Sequence, residues 1–302
     1  MKALIEKIQK LKSQKDAVIL VHNYQKKEIQ DIADILGDSL DLSRKAKGTS
    51  NPMIIFCGVR FMAETAKILS PDKKVLLPVF DAGCPMADMV TANDILDYKK
   101  EHPDVFVVSY VNTSAEVKAV SDICCTSANA VQIVKNIKAR KILFVPDKNL
   151  GDFVKRRVPE KEIQLWDGYC IVHVRINKEH LKKMKKEHPE ALVLVHPECE
   201  SQIIELADEV TSTNGMVKFV KDSEKTEFII ATEEGMIDRL KKEAPDKIFY
   251  PASKPTLCRN MKKTGLEDVL RSFTCEQYEI NLPDPIIRNA QAALNRMLEY
   301  SK

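Results

Sequence analysis

The sequence of 302 residues contains no long apolar run and no glycine-rich nucleotide loop. No stretch approaches the roughly 20 apolar residues that cross a bilayer, so we expect no membrane span. Neither G-x-G-x-x-G nor G-x-x-x-x-G-K-[ST] occurs, which argues against the usual nucleotide-binding motifs. The cysteines form no Cys-x-x-Cys pair, so the pattern does not indicate a structural zinc site with closely spaced ligands.

An excess of charge of one sign is also missing. The formal net charge is +3, which is too small to indicate a nucleic-acid-binding protein. The segment Met1–Lys15 is charged and amphipathic, without the apolar core and small-residue cleavage site of a secretory signal. We therefore predict a cytoplasmic protein, in which the eight cysteines favour metal binding or free thiols over disulfides.

Three of the cysteines recur at nearly equal intervals. Cys84 and Cys170 are 86 residues apart, and Cys170 and Cys258 are 88 apart. Each follows a short apolar run that predicts a strand, and each opens a loop. A threefold repeat that brings one thiolate per copy to the same position predicts a three-sulfur metal site. Soft thiolates select iron–sulfur clusters or zinc, and three protein ligands leave one coordination position for a substrate.

The repeat extends beyond the cysteines. The string Lys99–Asp104 returns 86 residues later as Lys185–Glu190, and both strings precede an apolar strand. Polar triplets at the strand ends also match, as do an aspartate ten residues further on and a hydroxyl residue five residues after it. Agreement at several independent positions indicates three copies of one unit. The matching positions are His22-x-Tyr24, Tyr110-x-Asn112 and His196-x-Glu198, then Asp34, Asp122 and Asp208, then Ser39, Ser127 and Thr213.

Helices alternate along the chain with short strands that are apolar throughout, a pattern typical of parallel sheets covered on both faces. The sequence therefore predicts the α/β class, with three pseudo-threefold-related αβα sandwich domains. Each is expected to contain a small three-stranded parallel sheet, and the three together to surround a central active site at the carboxyl ends of the strands. The predicted units are residues 1–84, 85–170 and 171–258, with the tail 259–302 packing back on the first unit.

The chain resembles the quinolinate synthase A family over essentially its whole length. The resemblance is carried by a combination of short motifs, most of which fall at the predicted strand ends and loops. These motifs are His22–Tyr24, Gly37–Ser39, Cys84–Met89, Tyr110–Asn112, Cys124–Asn129, Gly168–His173, His196–Cys199 and Thr211–Met216.

The resemblance implies three αβα domains around a 4Fe–4S cluster held by Cys84, Cys170 and Cys258. It also implies a transferase-type synthase of NAD biosynthesis that condenses iminoaspartate with dihydroxyacetone phosphate to quinolinate, with loss of phosphate and two waters. The implied partners are these two substrates and, functionally, an enzyme that produces iminoaspartate. Some members carry a further cysteine cluster at the carboxyl terminus, which this sequence lacks, so thiol switching by that segment is not expected.

The catalytic roles are expected to fall on the repeated polar triplets. Tyr24 and Glu198 occupy the same repeat position and are the predicted acid–base pair. His22 and His196, equivalent to each other, are predicted to shuttle protons or to hold carboxylate oxygens. In a cluster with three cysteine ligands, the iron with an open site is a Lewis acid that makes hydroxide a better leaving group.

The predicted substrate-binding residues are His22, Ser39, Tyr110, Asn112, Ser127, His173, His196, Glu198, Ser212 and Thr213. The four hydroxyl residues in this set begin predicted helices, where N-capping and anion binding are alternative roles. His173 is placed in the pocket by the resemblance. His102 and His188, each in the last turn of a helix before proline, are predicted to be structural.

Two other classes of protein fit part of the pattern. A non-enzymatic iron–sulfur carrier or sensor would share the cysteines, but such proteins usually ligate every iron and need no pocket of polar side chains. A zinc protein, either structural or hydrolytic, would also use cysteine ligands. Metal analysis and an absorption spectrum of anaerobically purified protein separate these classes.

Overall fold

A computed structural model describes residues 1–301 of the chain. The helices and strands follow the same order three times, and we call each repeat a unit. The first unit contains α1 (Lys2–Gln14), β1 (Ala17–His22), α2 (Lys27–Gln30), β2 (Ile35–Gly37), α3 (Ser39–Gly48), β3 (Met53–Cys57), α4 (Arg60–Leu69) and β4 (Lys74–Leu76).

The other two units repeat this order, and two more helices follow. The second unit contains α5 (Ala92–Glu101), β5 (Phe106–Tyr110), α6 (Ala115–Val120), β6 (Ile123–Cys125), α7 (Ala130–Asn136), β7 (Lys141–Val145), α8 (Lys148–Arg157) and β8 (Glu162–Leu165). The third contains α9 (Lys178–Glu187), β9 (Leu192–Val195), α10 (Ser201–Ile204), β10 (Glu209–Val210), α11 (Thr213–Asp222), β11 (Glu227–Ala231), α12 (Gly235–Glu243) and β12 (Ile248–Pro251). The tail contains α13 (Leu266–Cys275) and α14 (Asp284–Glu299).

The three sheets have one topology. Their strand orders are β2-β1-β3-β4, β6-β5-β7-β8 and β10-β9-β11-β12, and all pairs within the sheets are parallel. The α/β class and the three small parallel sheets are therefore confirmed. The predicted number of three strands per sheet is wrong, because each sheet has a fourth strand at one edge. These edge strands, β2, β6 and β10, are only two or three residues long, too short to give a readable apolar pattern.

The repeated aspartates explain how such short strands are held. Each aspartate makes two bonds to one residue of the neighbouring strand, since its backbone N–H donates to the carbonyl and its Oδ2 accepts from the N–H of that residue. The pairs are Asp34 with Ile19, Asp122 with Val107 and Asp208 with Val193, with N–Oδ2 distances of 2.8, 2.7 and 2.7 Å. The aspartate thus continues the hydrogen bonding of the sheet for one residue before the edge strand begins.

The tail contacts more than one unit. Helix α13 packs on α1 and β3 of the first unit, whereas α14 packs on α4 of the first unit and on α6 and β6 of the second. Ala290, Ala293, Leu294 and Met297 of α14 are fully buried in this contact. Among the described residues, no helix combines the length and the apolar character that a bilayer span requires.

Candidate functional site

The carboxyl ends of strands from all three units meet around one central cavity of about 400 Å³. The structure brings nearly all of the predicted site residues to its wall. Those that line it are His22, Tyr24, Ser39, Cys84, Tyr110, Asn112, Ser127, Cys170, His173, His196, Glu198, Thr213 and Cys258. Ser212 lies beside the cavity instead, where its Oγ bonds to Asp38 at 3.1 Å.

The three cysteines lie in equivalent loops, each after the last strand of its sheet. The same backbone hydrogen bond fixes each loop two residues before the cysteine. These bonds run from Arg60 N to Ala82 O at 2.8 Å, from Lys148 N to Gly168 O at 2.8 Å, and from Glu234 N to Thr256 O at 3.0 Å. The repeat therefore places the three sulfurs at matching points around one cavity.

Gly168 allows the loop of Cys170 to pass close to the second sheet. A Cβ atom at this position would lie 2.4 Å from the carbonyl oxygen of Pro146. Real Cβ atoms do not approach backbone oxygens so closely, so a larger residue here would displace the loop and, with it, the sulfur of Cys170.

The three thiols have the properties of metal ligands. All are free and half-buried. Nearby backbone N–H groups favour the thiolate form of each, those of Met86 and Ala87 for Cys84, of His173 for Cys170, and of Asn260 and Met261 for Cys258. Burial raises the pKa of all three thiols, to about 12 for Cys84, so they stay protonated until a metal displaces the protons. The donor set therefore fits a three-thiolate centre.

A second group of donors overlaps this one. One ligand atom each from Cys170, His173 and Glu198 lies within 4.8 Å of the others, close enough to hold a single metal ion. Nε2 of His173 lies 2.8 Å from Oγ1 of Thr232, and Nδ1 lies 2.7 Å from Oε2 of Glu198. Nε2 is thus engaged, whereas Nδ1 makes no regular hydrogen bond to any described residue and is the ring nitrogen available to a metal.

A line of polar contacts crosses the cavity wall from Tyr24 to Glu198. The phenol oxygen of Tyr24 lies 2.6 Å from Oγ1 of Thr232, which lies 2.8 Å from Nε2 of His173. The other ring nitrogen of His173 faces the carboxylate of Glu198. Because the hydroxyls and the imidazole can each accept and donate, this line can move a proton between the two ends.

Glu198 is held as an anion although it is buried. Burial by itself would raise the pKa of this carboxyl, but the side chains of His173, His196 and Tyr110 beside it lower the pKa to about 2. The amide of Asn112 also approaches Oε1, at 3.4 Å. The cavity therefore contains a fixed negative charge next to the sulfur of Cys170.

His22 and His196 are neutral and oriented in the same way. Burial lowers the pKa of both to about 3. In each, Nδ1 accepts from the backbone N–H two residues later, at 3.1 Å from Tyr24 N and at 3.4 Å from Glu198 N. A neutral ring that accepts at Nδ1 carries its proton on Nε2. Both histidines can therefore donate a hydrogen bond to a ligand oxygen in the cavity.

The four predicted hydroxyl residues do not all begin helices. Asp38, not Ser39, caps α3, which leaves the Ser39 side chain at the cavity wall. Ser127 precedes the first residue of α7 by three positions, so the prediction that it begins a helix is wrong. Ser212 does cap α11, and Oγ1 of Thr213 accepts from the side-chain amide of Asn23 at 2.9 Å.

The sequence analysis missed residues that follow the third strand of the second and third units. Thr232 joins Tyr24 to His173, and Glu233 lines the cavity. In the second unit, Asp147 occupies the position equivalent to that of Glu233 in the third, and it is fully buried. The sequence contains a signal for them, since polar side chains follow the apolar strands β7 and β11 within two residues.

The comparisons with known proteins agree over the whole chain. The family model described as quinolinate synthetase A protein matches residues 6–299. This chain belongs to that family. A quinolinate synthase from Thermodesulfovibrio yellowstonii is 55% identical over 97% of this chain and 97% of its own. One from Caldicellulosiruptor saccharolyticus is 53% identical over 97% of both chains, and quinolinate synthase 2 from Methanosarcina acetivorans is 50% identical over 99% of this chain and 96% of its own.

Proposed function

We propose that this protein is a quinolinate synthase that condenses iminoaspartate with dihydroxyacetone phosphate, releasing phosphate and two waters, in the biosynthesis of NAD. Its membership of the quinolinate synthase family supports the reaction. The observation that carries the proposal is the meeting of three thiols and a line of proton-transfer groups at one cavity. A simple electron carrier has no need of the second feature.

Cys84, Cys170 and Cys258 are proposed to hold a 4Fe–4S cluster, one iron of which has no protein ligand. When bound, such a centre supplies a Lewis acid for the loss of hydroxide during dehydration. The cavity of about 400 Å³ leaves space for small substrates beside the three sulfurs.

The protein's own residues are proposed to divide binding from proton transfer. Tyr24 and Glu198 are the acid–base pair, joined through Thr232 and His173, so that a proton gained at one end is released at the other. The Nε2–H groups of His22 and His196 donate to carboxylate or carbonyl oxygens of the substrates.

The remaining cavity groups are proposed to bind and orient the substrates. Tyr110 and Asn112 fix Glu198 and offer directed hydrogen bonds. Ser39, Ser127 and Thr213, with Ser212 behind them, supply hydroxyls for the phosphate and carboxylate groups. The three units at residues 1–84, 85–170 and 171–258 each contribute a cysteine at or next to their carboxyl-terminal end, with residues 259–302 as the tail.

The deciding experiment is anaerobic purification followed by metal analysis and assay. About four irons and four sulfides per chain, with a broad visible absorption band, are expected for the proposed cluster. Supplied with the two substrates, or with an enzyme that produces iminoaspartate, the protein should release quinolinate and phosphate in equal amounts. Exposure to air should abolish activity, because the open iron is easily oxidised. Bound iron without quinolinate would favour a carrier or sensor instead.

A centre with a single metal ion is the second candidate, because Cys170, His173 and Glu198 lie close enough to ligate one ion. In that case metal analysis would give one zinc or iron per chain and no sulfide, and Cys84 and Cys258 could be replaced without loss of metal.

A further inference from the structure

The residue that follows the third strand of each unit by two positions differs between the units. The three equivalent residues are Val59 after β3, Asp147 after β7 and Glu233 after β11. Each directly precedes the residue whose backbone N–H fixes the cysteine loop, Arg60, Lys148 or Glu234. The fold therefore brings this side chain next to the cysteine of its own unit, and in two units the side chain is a carboxylate.

Glu233 is bonded directly to the loop of Cys258. Its Oε1 accepts from the backbone N–H of Cys258 at 3.0 Å, and its Oε2 accepts from the N–H of Gly235 at 2.7 Å. Only 1% of the side chain is exposed. The carboxylate thus ties the cysteine to the start of α12, a rigid element of the third unit.

Lys262 connects this carboxylate to the catalytic loop of the first unit. Its ammonium lies 3.0 Å from Oε2 of Glu233 and also donates to the carbonyl oxygen of Tyr24. This ion pair therefore links the loop of Cys258 to the backbone at Tyr24, although the two residues belong to different units.

Asp147 plays the corresponding part in the second unit. Its Oδ1 accepts from the N–H groups of Asn149 and Leu150 and caps α8, at 2.8 and 2.9 Å. The backbone N–H of Cys170 also faces the carboxylate, and Oδ2 makes no regular hydrogen bond to any described residue. This oxygen is buried, since Asp147 has no exposed surface.

The first unit has no such group. Val59 is apolar and buried at the cavity wall, so Cys84 is positioned by its loop backbone without a carboxylate partner. The threefold repeat is thus broken at the one position that would otherwise support all three ligands in the same way.

We propose that Glu233 and Asp147 are positioning residues that hold the Cys258 and Cys170 loops in place for the metal centre. The inference rests on the proposed function for the presence of that centre, but the hydrogen bonds belong to the protein alone. Partners behind the ligands fix ligand orientation, and their loss typically weakens metal binding by about 10- to 100-fold. The negative charge of Glu233 also opposes the addition of an electron to a nearby cluster.

The test compares Glu233→Ala and Glu233→Gln with the parent protein, each as the anaerobically purified chain. We expect a strong iron chelator to remove iron about 10-fold faster from Glu233→Ala. Glu233→Gln, which keeps one acceptor oxygen for Cys258, should fall between the two. The reduction potential should rise in both variants, because both lose a negative charge near the centre. Faster iron release is also expected for Asp147→Asn.

Glu64→Gln is the matched control. Glu64 is also a buried carboxylate that accepts a backbone N–H bond, from Ala115 at 3.0 Å. It pairs with the guanidinium of Arg60 but accepts no hydrogen bond from a cysteine loop. If iron release and potential change equally in Glu64→Gln and Glu233→Gln, the effect is general destabilisation and the proposal is wrong.

Hydrogen exchange on the metal-free protein tests the bond without the cluster. The amide of Cys258 should exchange at least several-fold faster in Glu233→Ala than in the parent, while amides of β9 keep their rates. Unchanged exchange at Cys258 would overturn the proposal even if the parent holds iron. A parent protein that binds no iron would contradict the proposed function, and the exchange result would still decide whether Glu233 holds the loop.

Discussion

Nδ1 of His173 lies 2.7 Å from Oε2 of Glu198, with 1% and 4% of the two side chains exposed. This contact joins the loop that follows Cys170 to the end of β9, and it places the negative charge of Glu198 at one end of the polar line that begins at Tyr24. The charge state of the cavity depends on this pair.

Replacing Glu198 with glutamine should nearly abolish quinolinate formation while the protein stays folded. Glutamine keeps the shape but can neither hold a negative charge nor accept a proton. General acid–base groups typically contribute about 10²- to 10⁴-fold to a rate, so a loss of this size is expected in steady-state assays. Glu200→Gln, two residues away and partly exposed, is the control. Activity within a few-fold of the parent would contradict the role of Glu198.

Tyr24→Phe and Thr232→Val should each reduce the rate, and the double variant should be little worse than either single one. Both changes interrupt the same line of contacts, and residues that act as a unit show strongly non-additive effects. Single-turnover rates of the three variants measure this coupling. Tyr98→Phe, in which the ring stacks on His102 outside the cavity, should behave like the parent. Simple additivity of the two changes would argue against a shared proton path.

The metal-free protein should lose stability as the pH falls from about 6.5 to 3. Burial lowers the pKa of His22 and His196 to about 3, so over this range the unfolded chain binds protons at these two residues and the folded chain does not. Above the pKa of histidine in the unfolded chain, both states are neutral and these two histidines cost no stability. Each contributes a slope of about 1.4 kcal/mol per pH unit below it.

Urea unfolding at several pH values measures that slope. His22→Asn should reduce it by the contribution of one histidine, since asparagine does not titrate. His102→Asn, which removes an exposed ring at the end of α5, should leave the slope as it is. An equal slope in His22→Asn and the parent would show that His22 does not carry this effect.

Cys84→Ser, Cys170→Ser and Cys258→Ser should each lower the iron and sulfide content sharply. Serine is a poor ligand for iron–sulfur centres, and three ligands leave none to spare. Cys275→Ser, an exposed cysteine in the tail, should keep the full metal content. Metal retained in Cys84→Ser and Cys258→Ser but lost in Cys170→Ser would instead indicate the single-ion site with His173 and Glu198.

Asp122→Ala should destabilise the fold without affecting the cavity directly. It removes the bond of 2.7 Å from Val107 N to the carboxylate and the ion pair of 3.0 Å with Lys99. Hydrogen bonds to a charged group contribute about 1.5–3 kcal/mol, so the free energy of unfolding should fall by an amount of this order. Asp97→Ala, an exposed residue of α5, should change it by less than about 0.5 kcal/mol.

The sequence predicted the features that the repeat makes visible. Equal spacing of Cys84, Cys170 and Cys258 predicted that they share a structural position, and the matched triplets predicted which strand ends bear polar side chains. Apolar runs predicted the nine strands other than β2, β6 and β10.

The features that the sequence did not predict depend on differences between the units, and a search for repeated residues does not detect such differences. The edge strand Glu209–Val210 is too short to show an apolar pattern. It is held instead by the carboxylate of Asp208, which accepts a hydrogen bond from the backbone N–H of Val193 in the neighbouring strand. Thr232 contacts Tyr24 because the loops of two units meet across the cavity, although the two residues are 208 positions apart in the sequence. Contacts of this kind follow from packing, not from local pattern.

Helix α14 has a consequence for biosynthesis. It covers α4, α6 and β6, so a growing chain has already made two units before it makes the helix that covers them both. Until residues beyond 284 have left the ribosome, that apolar surface stays open to water and to other nascent chains. The first two units are therefore synthesised before the helix that covers them, and chaperones can bind their exposed apolar surface during that interval.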